Sequence, residues 1–107
     1  MAQFDVFRNI GKYSKIVPFV VDVQADILSS FDTRVVIPLL SVEFIKNENM
    51  DIISRFNPIM TVCESEVILA TQQMAAVHVR ELGKKVDSLE PMRLKIISAL
   101  DVLTAGI

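Results

Sequence analysis

Two side chains in the sequence could form a catalytic dyad, and two others could do acid–base work. Cys63 and His78 are the only cysteine and the only histidine, so a thiolate activated by an imidazole would need these two to meet through folding. Glu64 and Glu66 stand two residues apart, where paired carboxylates could act as acid and base. The more ordinary interpretation is that Cys63 belongs to the core, His78 lies on a half-exposed strand, and the glutamates form a solvated turn.

The sequence lacks the residues that a metal site or a phosphate-binding loop needs. One cysteine and one histidine, with nothing at ligand spacing around either, predict no metal site. The three glycines, Gly11, Gly83 and Gly106, are too far apart for a phosphate-binding loop. We therefore expect no catalytic residue and no cofactor.

Cations and aromatic rings meet in the segment "FRNIGKYSK" (7–15), a weak RNA-binding pattern. The net charge of −2 and the scattered positions of the eleven Lys and Arg residues argue against direct nucleic-acid binding. Segment 8–15 is polar and contains a glycine, so we expect an exposed, mobile loop between two paired strands.

Length and composition indicate one domain, residues 1–107, that associates with itself. A chain of 107 residues with 51% apolar side chains holds more apolar surface than a small core readily buries. The surplus favours a subunit interface, most simply a homodimer. The opening "MAQFDVFRNI" has neither a signal-peptide pattern nor a membrane span. We expect a cytoplasmic protein without a membrane partner.

The first two thirds of the sequence predict short antiparallel strands. Alternating or β-branched apolar residues occur in segments 3–7, 17–24, 34–40 and 75–82, and segment 59–73 has the pattern of a hairpin. Pro38 cannot donate a ladder hydrogen bond, so we expect a sheet edge or a bulge there. Segment 41–56 satisfies helical and strand periods only in part and is predicted to be irregular.

A C-terminal helix is predicted to begin at Pro91, which suits the first helical position. Its apolar residues recur at spacings of three and four: Met92, Ile96, Ala99, Leu100 and Leu103. Leu94 and Val102 lie off that stripe, so we expect them, with Leu103, in a dimer interface. Strands followed by a helix predict an α+β fold with an antiparallel barrel or sheet.

The last segment, "DVLTAGI" (101–107), is apolar where most domains carry polar, poorly ordered residues. We expect this end to contact a partner.

Four motifs in register resemble the CcdB family of bacterial toxins from toxin–antitoxin modules. They are "FVVDVQADIL" (19–28), "TRVVIPLLS" (33–41), "TQQMAAV" (71–77) and the closing "GI". The resemblance covers nearly the whole chain. It implies an SH3-like antiparallel barrel with a small extra sheet and a long C-terminal helix, assembled as a two-fold homodimer.

The same resemblance implies a function. Such toxins insert between the arms of the DNA gyrase A subunit and trap the covalent gyrase–DNA cleavage complex, so DNA is contacted only indirectly, through gyrase or within the antitoxin complex. The positions that match the family's gyrase contacts are Asp101, Thr104, Ala105, Gly106 and Ile107. In the best-known members a tryptophan precedes Gly-Ile and can stack on a guanidinium; here that residue is Ala105 and the chain has no Trp.

The resemblance also implies neutralisation by a cognate CcdA-like antitoxin through an otherwise disordered segment. The matching contact positions are Arg8, Asn9, Ile10, Gly11, Lys12, Tyr13, Ser14, Ile27 and Leu28. By pattern alone Ile27 and Leu28 could equally be core. Asp22 and Gln24 match family positions too, and a turn or strand-pairing role explains them equally well.

Two alternatives remain open at this point. A MazF-like ribonuclease toxin would share the barrel and be an enzyme, although the shortage of acid–base residues and the terminal Gly-Ile disfavour it. A non-toxic CcdB homologue would keep the fold and the antitoxin site, and Ala105 in place of Trp is the feature that favours it.

Overall fold

Seven short antiparallel strands form one curled sheet, a half-barrel, in the computed structural model, which describes residues 2–48 and 52–106. The strands are β1 Asp5–Arg8, β2 Phe19–Asp22, β3 Thr33–Ser41, β4 Ile59–Val62, β5 Ser65–Leu69, β6 Ala75–His78 and β7 Lys85–Ser88. Their order is β4-β5-β3-β2-β1-β7, and β6 pairs with β3 outside this path. The helices are α1 Val42–Glu48 and α2 Arg93–Ala105, so the α+β, mainly β fold class is confirmed.

Strands β1 and β2 pair as the alternation of "VPFVVDVQ" predicted. Val6 lies opposite Val21 in the antiparallel register. The apolar face of β2, Phe19 and Val21 with Val23 beyond it, is buried in the main core. The other face carries Asp22 and, just after the strand, Gln24, both also buried.

Strand β3 is central, so the prediction of an edge or a bulge at Pro38 is wrong. On one side β3 pairs with β2 along residues 19–22, with Val20 opposite Pro38. On the other side its first half pairs with β6 and its last three residues pair with β5. The Pro38 carbonyl accepts from Ala70 N–H at 3.0 Å on that side. The N–H and C=O groups of one strand residue point to the same side of the strand. The N–H that Pro38 lacks would therefore have pointed to the place where β3 changes its partner from β6 to β5, so no ladder hydrogen bond is lost.

The β4–β5 hairpin is confirmed, and its turn contradicts the interpretation of Cys63 as a core residue. Cys63 and Glu64 have φ of 50° and 68°, the left-handed values that a tight two-residue hairpin turn requires. Cys63 is exposed there. Its N–H donates to Asp87 Oδ2 at 3.3 Å, so the turn reaches β7 at the other end of the strand order. That contact reflects the curl of the sheet.

Two elements differ from the sequence prediction. Segment 41–56 is not wholly irregular, because Val42–Glu48 forms α1 and buries Val42 and Ile45 against Ile68 of β5. Strand β7 lies in a segment for which the sequence predicted no strand or helix, and it pairs with β1. The ion pair between Lys85 Nζ and Asp5 Oδ1, 3.2 Å, joins these two strands.

The C-terminal helix packs into the concave side of the sheet. A single 3₁₀ turn, Glu90–Met92, holds Pro91, and α2 proper begins at Arg93, two residues later than predicted. Ile96 and Ala99 are fully buried in the core with strand residues from β1 to β5. The partly buried Ile97 and Leu100 pack against the same core, so α2 adds its apolar residues to a core that consists mostly of strand residues.

Candidate functional site

The last turn of α2 carries the residues for which the sequence predicted a partner contact at this end. Asp101, Thr104 and Ala105 are exposed. Gly106 caps the helix with φ of 74°, and its N–H donates to the carbonyl four residues back at 3.1 Å. A side chain at Gly106 would meet no atom within 4 Å, so the left-handed backbone and not crowding favours glycine. Ile107 lies outside the described residues.

The three residues predicted for a dimer interface do not share one face of α2. Successive helix residues turn by about 100°, so Leu94 and Leu103 lie about 180° apart. Leu94 is 80% exposed and Leu103 is 40% exposed, while Val102 is half-buried. Leu103 continues the predicted stripe beyond the buried residues of the helix, Ile96 and Ala99. By the same rotation Val102 lies about 80° from Leu94 and about 100° from Leu103, so it stands between them around the helix.

The predicted loop 8–15 borders a groove of about 410 Å³, here called the loop groove. Its lining consists of Arg8, Asn9, Ile10, Gly11, Val20, Val36, Val77, Glu81 and Leu82. Four of the predicted antitoxin residues thus border an apolar floor built by β2, β3 and β6. Lys12, Tyr13 and Ser14 are exposed farther along the loop, with Lys12 Nζ 5.1 Å from the centre of the Tyr13 ring.

Asn9 and Gly83 hold this loop in place. The Asn9 side chain donates to the Val17 carbonyl at 2.8 Å and accepts from Gly11 N–H at 2.9 Å. Gly83 N–H donates to the Arg8 carbonyl at 3.1 Å. A Cβ on Gly83 would collide with that carbonyl oxygen, so only glycine allows the two backbones to approach this closely. The sequence offered no signal for this role beyond the glycine itself.

A second predicted contact is a 3₁₀ turn, Asp26–Leu28, that follows β2. Ile27 is 89% exposed and Leu28 is 41% exposed, so the interpretation of these two as core residues is wrong. Phe31, which the sequence did not single out, is also exposed beside them. An exposed apolar group of this kind is typical of an interaction surface.

A buried polar network holds the 26–28 turn. Gln24 Nε2 donates to the Leu28 carbonyl at 2.9 Å, and Gln24 Oε1 accepts from Val35 N–H at 3.0 Å. Arg34 and Asp22 form a fully buried ion pair with an N–O distance of 2.7 Å. Asp22 also accepts from Gln24 N–H at 2.9 Å. Asp22 and Gln24 therefore hold the 26–28 turn in place through hydrogen bonds on its buried side.

Burial raises the pKa of Asp22 above its ordinary value of 3.8, because the charged carboxylate loses its hydration. The hydrogen bonds from Arg34 and from Gln24 N–H oppose this shift and lower the pKa. Arg34 Nη1 is buried and has no hydrogen-bond partner among the described residues. Removal of either charge would therefore leave the other one buried without a counter-charge.

The loop 8–15 precedes β2 and the 26–28 turn follows it. The floor of the loop groove includes Val20 on β2 and Val36 on β3, which pairs with Asp22 at the end of β2, and residues 23–25 lead from there to the turn. The cations Arg8 and Lys12 mark the first surface, and Asp26 and Asp32 flank the second. One ligand can therefore follow β2 from the first surface to the second.

The candidate catalytic residues have separate surroundings. His78 Nδ1 accepts from Arg80 N–H at 3.1 Å at the end of β6. The Cys63 thiol lies 3.7 Å from the Val86 carbonyl of β7. Glu64 and Glu66 are exposed on the β4–β5 hairpin. Within residues 2–48 and 52–106, no three His, Cys, Asp or Glu side chains are grouped as metal ligands would be.

A further groove, the α2 groove, lies between α2 and the segment before β4. It has a volume of about 570 Å³ and is defined here by Ile52, Arg55, Pro58, Ile59, Leu94 and Lys95. Arg55 Nε donates to Ser98 Oγ at 2.8 Å, which ties the segment to the helix. Of the predicted site residues that the structure describes, only Leu94 lies here.

A family model described as CcdB protein matches residues 3–106 of the chain. The match extends from the residues before β1 to the glycine that caps α2, so it includes each of the surfaces above. None of the curated proteins compared with the chain matches it. Among the described residues, no helix has the length and apolar character needed to cross a membrane.

Proposed function

The chain belongs to the CcdB family, the toxins of toxin–antitoxin systems, and on that premise we propose that it poisons DNA gyrase. The toxin binds between the arms of the gyrase A subunit and holds the cleaved gyrase–DNA complex in its covalent state. It supplies binding surface and no catalytic group. DNA is reached only through gyrase or through the antitoxin complex.

The observation that carries this proposal is the exposed last turn of α2. Asp101, Thr104 and Ala105 project from a helix that the sheet holds firmly through Ile96 and Ala99. Gly106 keeps the backbone open beyond them, so another backbone can approach closely. A rigid helix end with an unobstructed cap suits insertion between two arms of a larger protein.

A cognate antitoxin occupies the loop groove and the 26–28 turn together. The apolar floor of the groove and the exposed Ile27 provide two anchor sites that follow one another along β2 and residues 23–25. An otherwise disordered segment can contact both and gains affinity as it orders. Because the loop carries Arg8 and Lys12, we expect the part of the segment that lies there to be acidic.

The toxin acts as a homodimer whose interface includes Val102 and Leu103. Their position next to the last turn of α2 brings two copies of the gyrase-contacting turn close to the two-fold axis. Leu94 was predicted for the same interface; it lies on the opposite side of the helix from Leu103 with Val102 between them, so it contributes to the interface only at its edge.

Expression in two strains that differ only in gyrase A tests the proposal. We expect growth arrest in cells with wild-type gyrase A, survival in cells with a toxin-resistant gyrase A, and rescue of the first strain by co-expressed antitoxin. Equal killing of both strains would mean a different target and would favour the ribonuclease alternative.

The small side chain at Ala105 supports a second candidate, a non-toxic homologue that retains antitoxin binding. Survival of both strains, together with tight binding of the antitoxin by the purified protein, would identify that case.

A further inference from the structure

The last turn of α2 extends beyond the part of the helix that the core holds. Ile96 and Ala99 are buried in the core. Leu103, Thr104 and Ala105 follow farther along the helix and are exposed. Because an α-helix rises about 1.5 Å per residue, a tilt of about 10° at Ala99 would displace Ala105 by about 1.5 Å. The direction of the helix axis therefore decides where the last turn meets a partner.

A turn in the segment before β4, the 53–57 turn, contacts α2 directly. The N–H of its last residue donates to the carbonyl of its first residue at 2.6 Å, which closes the turn. Within it, Arg55 Nε donates to Ser98 Oγ at 2.8 Å. Around the helix axis Ser98 lies about 100° from Ala99 and about 160° from Ile96. This bond therefore restrains α2 on a side that the core does not hold.

Buried hydrogen bonds fix the 53–57 turn to the end of β5. Asn57 is buried, and its side-chain amide donates to the Leu69 carbonyl at 3.0 Å. The fully buried Thr71 donates from its hydroxyl to the Phe56 carbonyl at 2.6 Å. Hydrogen bonds inside a protein are stronger than the same bonds in water, so these two hold the turn in one place. A continuous series of bonds thus leads from the sheet through the turn to α2.

We propose that the 53–57 turn positions the last turn of α2 for binding, with Arg55 and Ser98 as the positioning residues. The inference rests on the proposed function, because gyrase is the partner that this last turn contacts. A binding surface that already has its bound arrangement loses less conformational freedom on association. Arg55 and Ser98 therefore act through the direction of α2 and not by contact with gyrase.

Ser98→Ala tests the link, because it removes the acceptor of the Arg55 hydrogen bond. Alanine has a higher helix propensity than serine, so the substitution does not weaken α2 as a helix. The conservative variant Ser98→Thr keeps a hydroxyl oxygen at this position and should restore the link. Melting temperature and antitoxin affinity should change little in both variants, since the loop groove and the 26–28 turn do not include Ser98.

The direction of α2 can be measured by NMR without gyrase. In the wild type, residual dipolar couplings of the backbone amides should fit one common orientation for the strands and for residues 101–105. In Ser98→Ala the couplings of residues 101–105 should depart from that fit, and in Ser98→Thr they should agree with it. Unchanged couplings in Ser98→Ala would overturn the proposal, because α2 would then keep its direction without the Arg55 bond.

Trapping of cleaved DNA by gyrase gives the second measurement. The concentration of Ser98→Ala that yields half-maximal linear DNA should be about three- to tenfold higher than for the wild type, while Ser98→Thr should match the wild type. Equal potency of Ser98→Ala with a redirected α2 would also overturn the proposal. If the wild-type chain traps no gyrase, the proposed function is wrong, and the dipolar couplings alone decide whether the 53–57 turn positions α2.

Discussion

At the scale of single residues, the ion pair of Arg34 and Asp22 is the feature with the highest free-energy cost of burial. Both side chains are sealed from water, and Gln24 connects them to the 26–28 turn. A lone carboxylate at this depth would be strongly disfavoured, because burial already raises the pKa of Asp22 with Arg34 in place. The stability of the turn and the ionisation of Asp22 are therefore linked.

Replacing Arg34 with Met should lower the free energy of unfolding at neutral pH by about 3–5 kcal/mol, because Asp22 is left charged and buried. The loss should be smaller in mild acid. A carboxyl whose pKa is raised in the folded state binds protons more readily folded than unfolded, so the stability of the variant falls as pH rises from 3.8 through the raised pKa. Urea unfolding of the wild type and the variant, at neutral pH and in mild acid, measures the loss of unfolding free energy under each condition.

The matched control is Arg34→Met in a chain that already carries Asp22→Asn. There the loss should be smaller and independent of pH over the same interval. A loss of equal size at both pH values in the single variant would contradict the linkage.

Gly83 offers a second test at this scale. Gly83→Ala places a methyl group against the Arg8 carbonyl and 2.8 Å from Ile10 Cγ2. We expect a loss of about 1–3 kcal/mol in unfolding free energy and weaker antitoxin binding, since the loop groove must widen. Gly11→Ala meets only the Asn9 side-chain oxygen, at 3.2 Å, and should cost little stability. Equal costs would show that the close approach at Gly83 is unimportant.

Among the elements, the 26–28 turn is the one at which the effect of a substitution on antitoxin binding is most clearly separated from its effect on stability. Ile27→Asp should weaken the antitoxin complex at least about tenfold and leave the melting temperature nearly unchanged, because Ile27 is 89% exposed. Ile53→Asp, at another exposed isoleucine, serves as the control and should change neither quantity. Isothermal titration and thermal melts measure the two effects. Unfolding of the Ile27 variant would mean that the turn is structural.

The elements also divide according to how far the sequence predicts them. Strong alternation, as in β2, and a clear apolar stripe, as in α2, predict both type and position. Helix α1 escapes prediction because its apolar residues Val42, Phe44 and Ile45 lie within one turn and show no clear helical period. Strand β7 escapes because Val86 is its one apolar residue. The prediction from Pro38 is wrong because β3 changes its partner from β6 to β5 near that residue, and which strands pair is decided by tertiary structure.

The same reasoning applies to the candidate site. Motif resemblance identified Arg8 to Gly11, which border the loop groove, and Ile27, which is exposed beyond β2. It could not reveal that Gln24 braces the 26–28 turn or that Gly83 packs on Arg8, because both depend on contacts between distant segments. Nor could helical spacing alone place Leu94 in a groove with Ile52 and Ile59.

At the scale of the whole molecule, the proposed toxin is a pair of identical chains. Leu103→Asp should reduce self-association, seen as a lower sedimentation coefficient at micromolar concentration. The cost in monomer stability should be modest, since Leu103 is 40% exposed and α2 is held by Ile96 and Ala99. Thr104→Asp is the control for an added charge at an exposed neighbour. A wild-type protein that sediments as a monomer would contradict the dimer.

The absence of tryptophan leaves room for a gain of function. Ala105→Trp adds a large aromatic ring at an exposed position on the last turn of α2, where it can stack on a guanidinium of gyrase. We expect tighter gyrase binding, by about tenfold, with little change in melting temperature. Surface plasmon resonance against immobilised gyrase A measures the change. No gain would place the contact on another surface.

The most direct test of the central claim is trapping of the gyrase–DNA cleavage complex with purified components. The wild-type chain, added to gyrase and supercoiled plasmid, should yield linear DNA after detergent and protease treatment. A variant lacking Gly106 and Ile107 should yield none, because it loses the close backbone approach and about 1.5–3 kcal/mol of apolar burial at Ile107. Its melting temperature and antitoxin affinity should match those of the wild type. Linear DNA in equal amounts from both proteins, or from neither, would contradict the account.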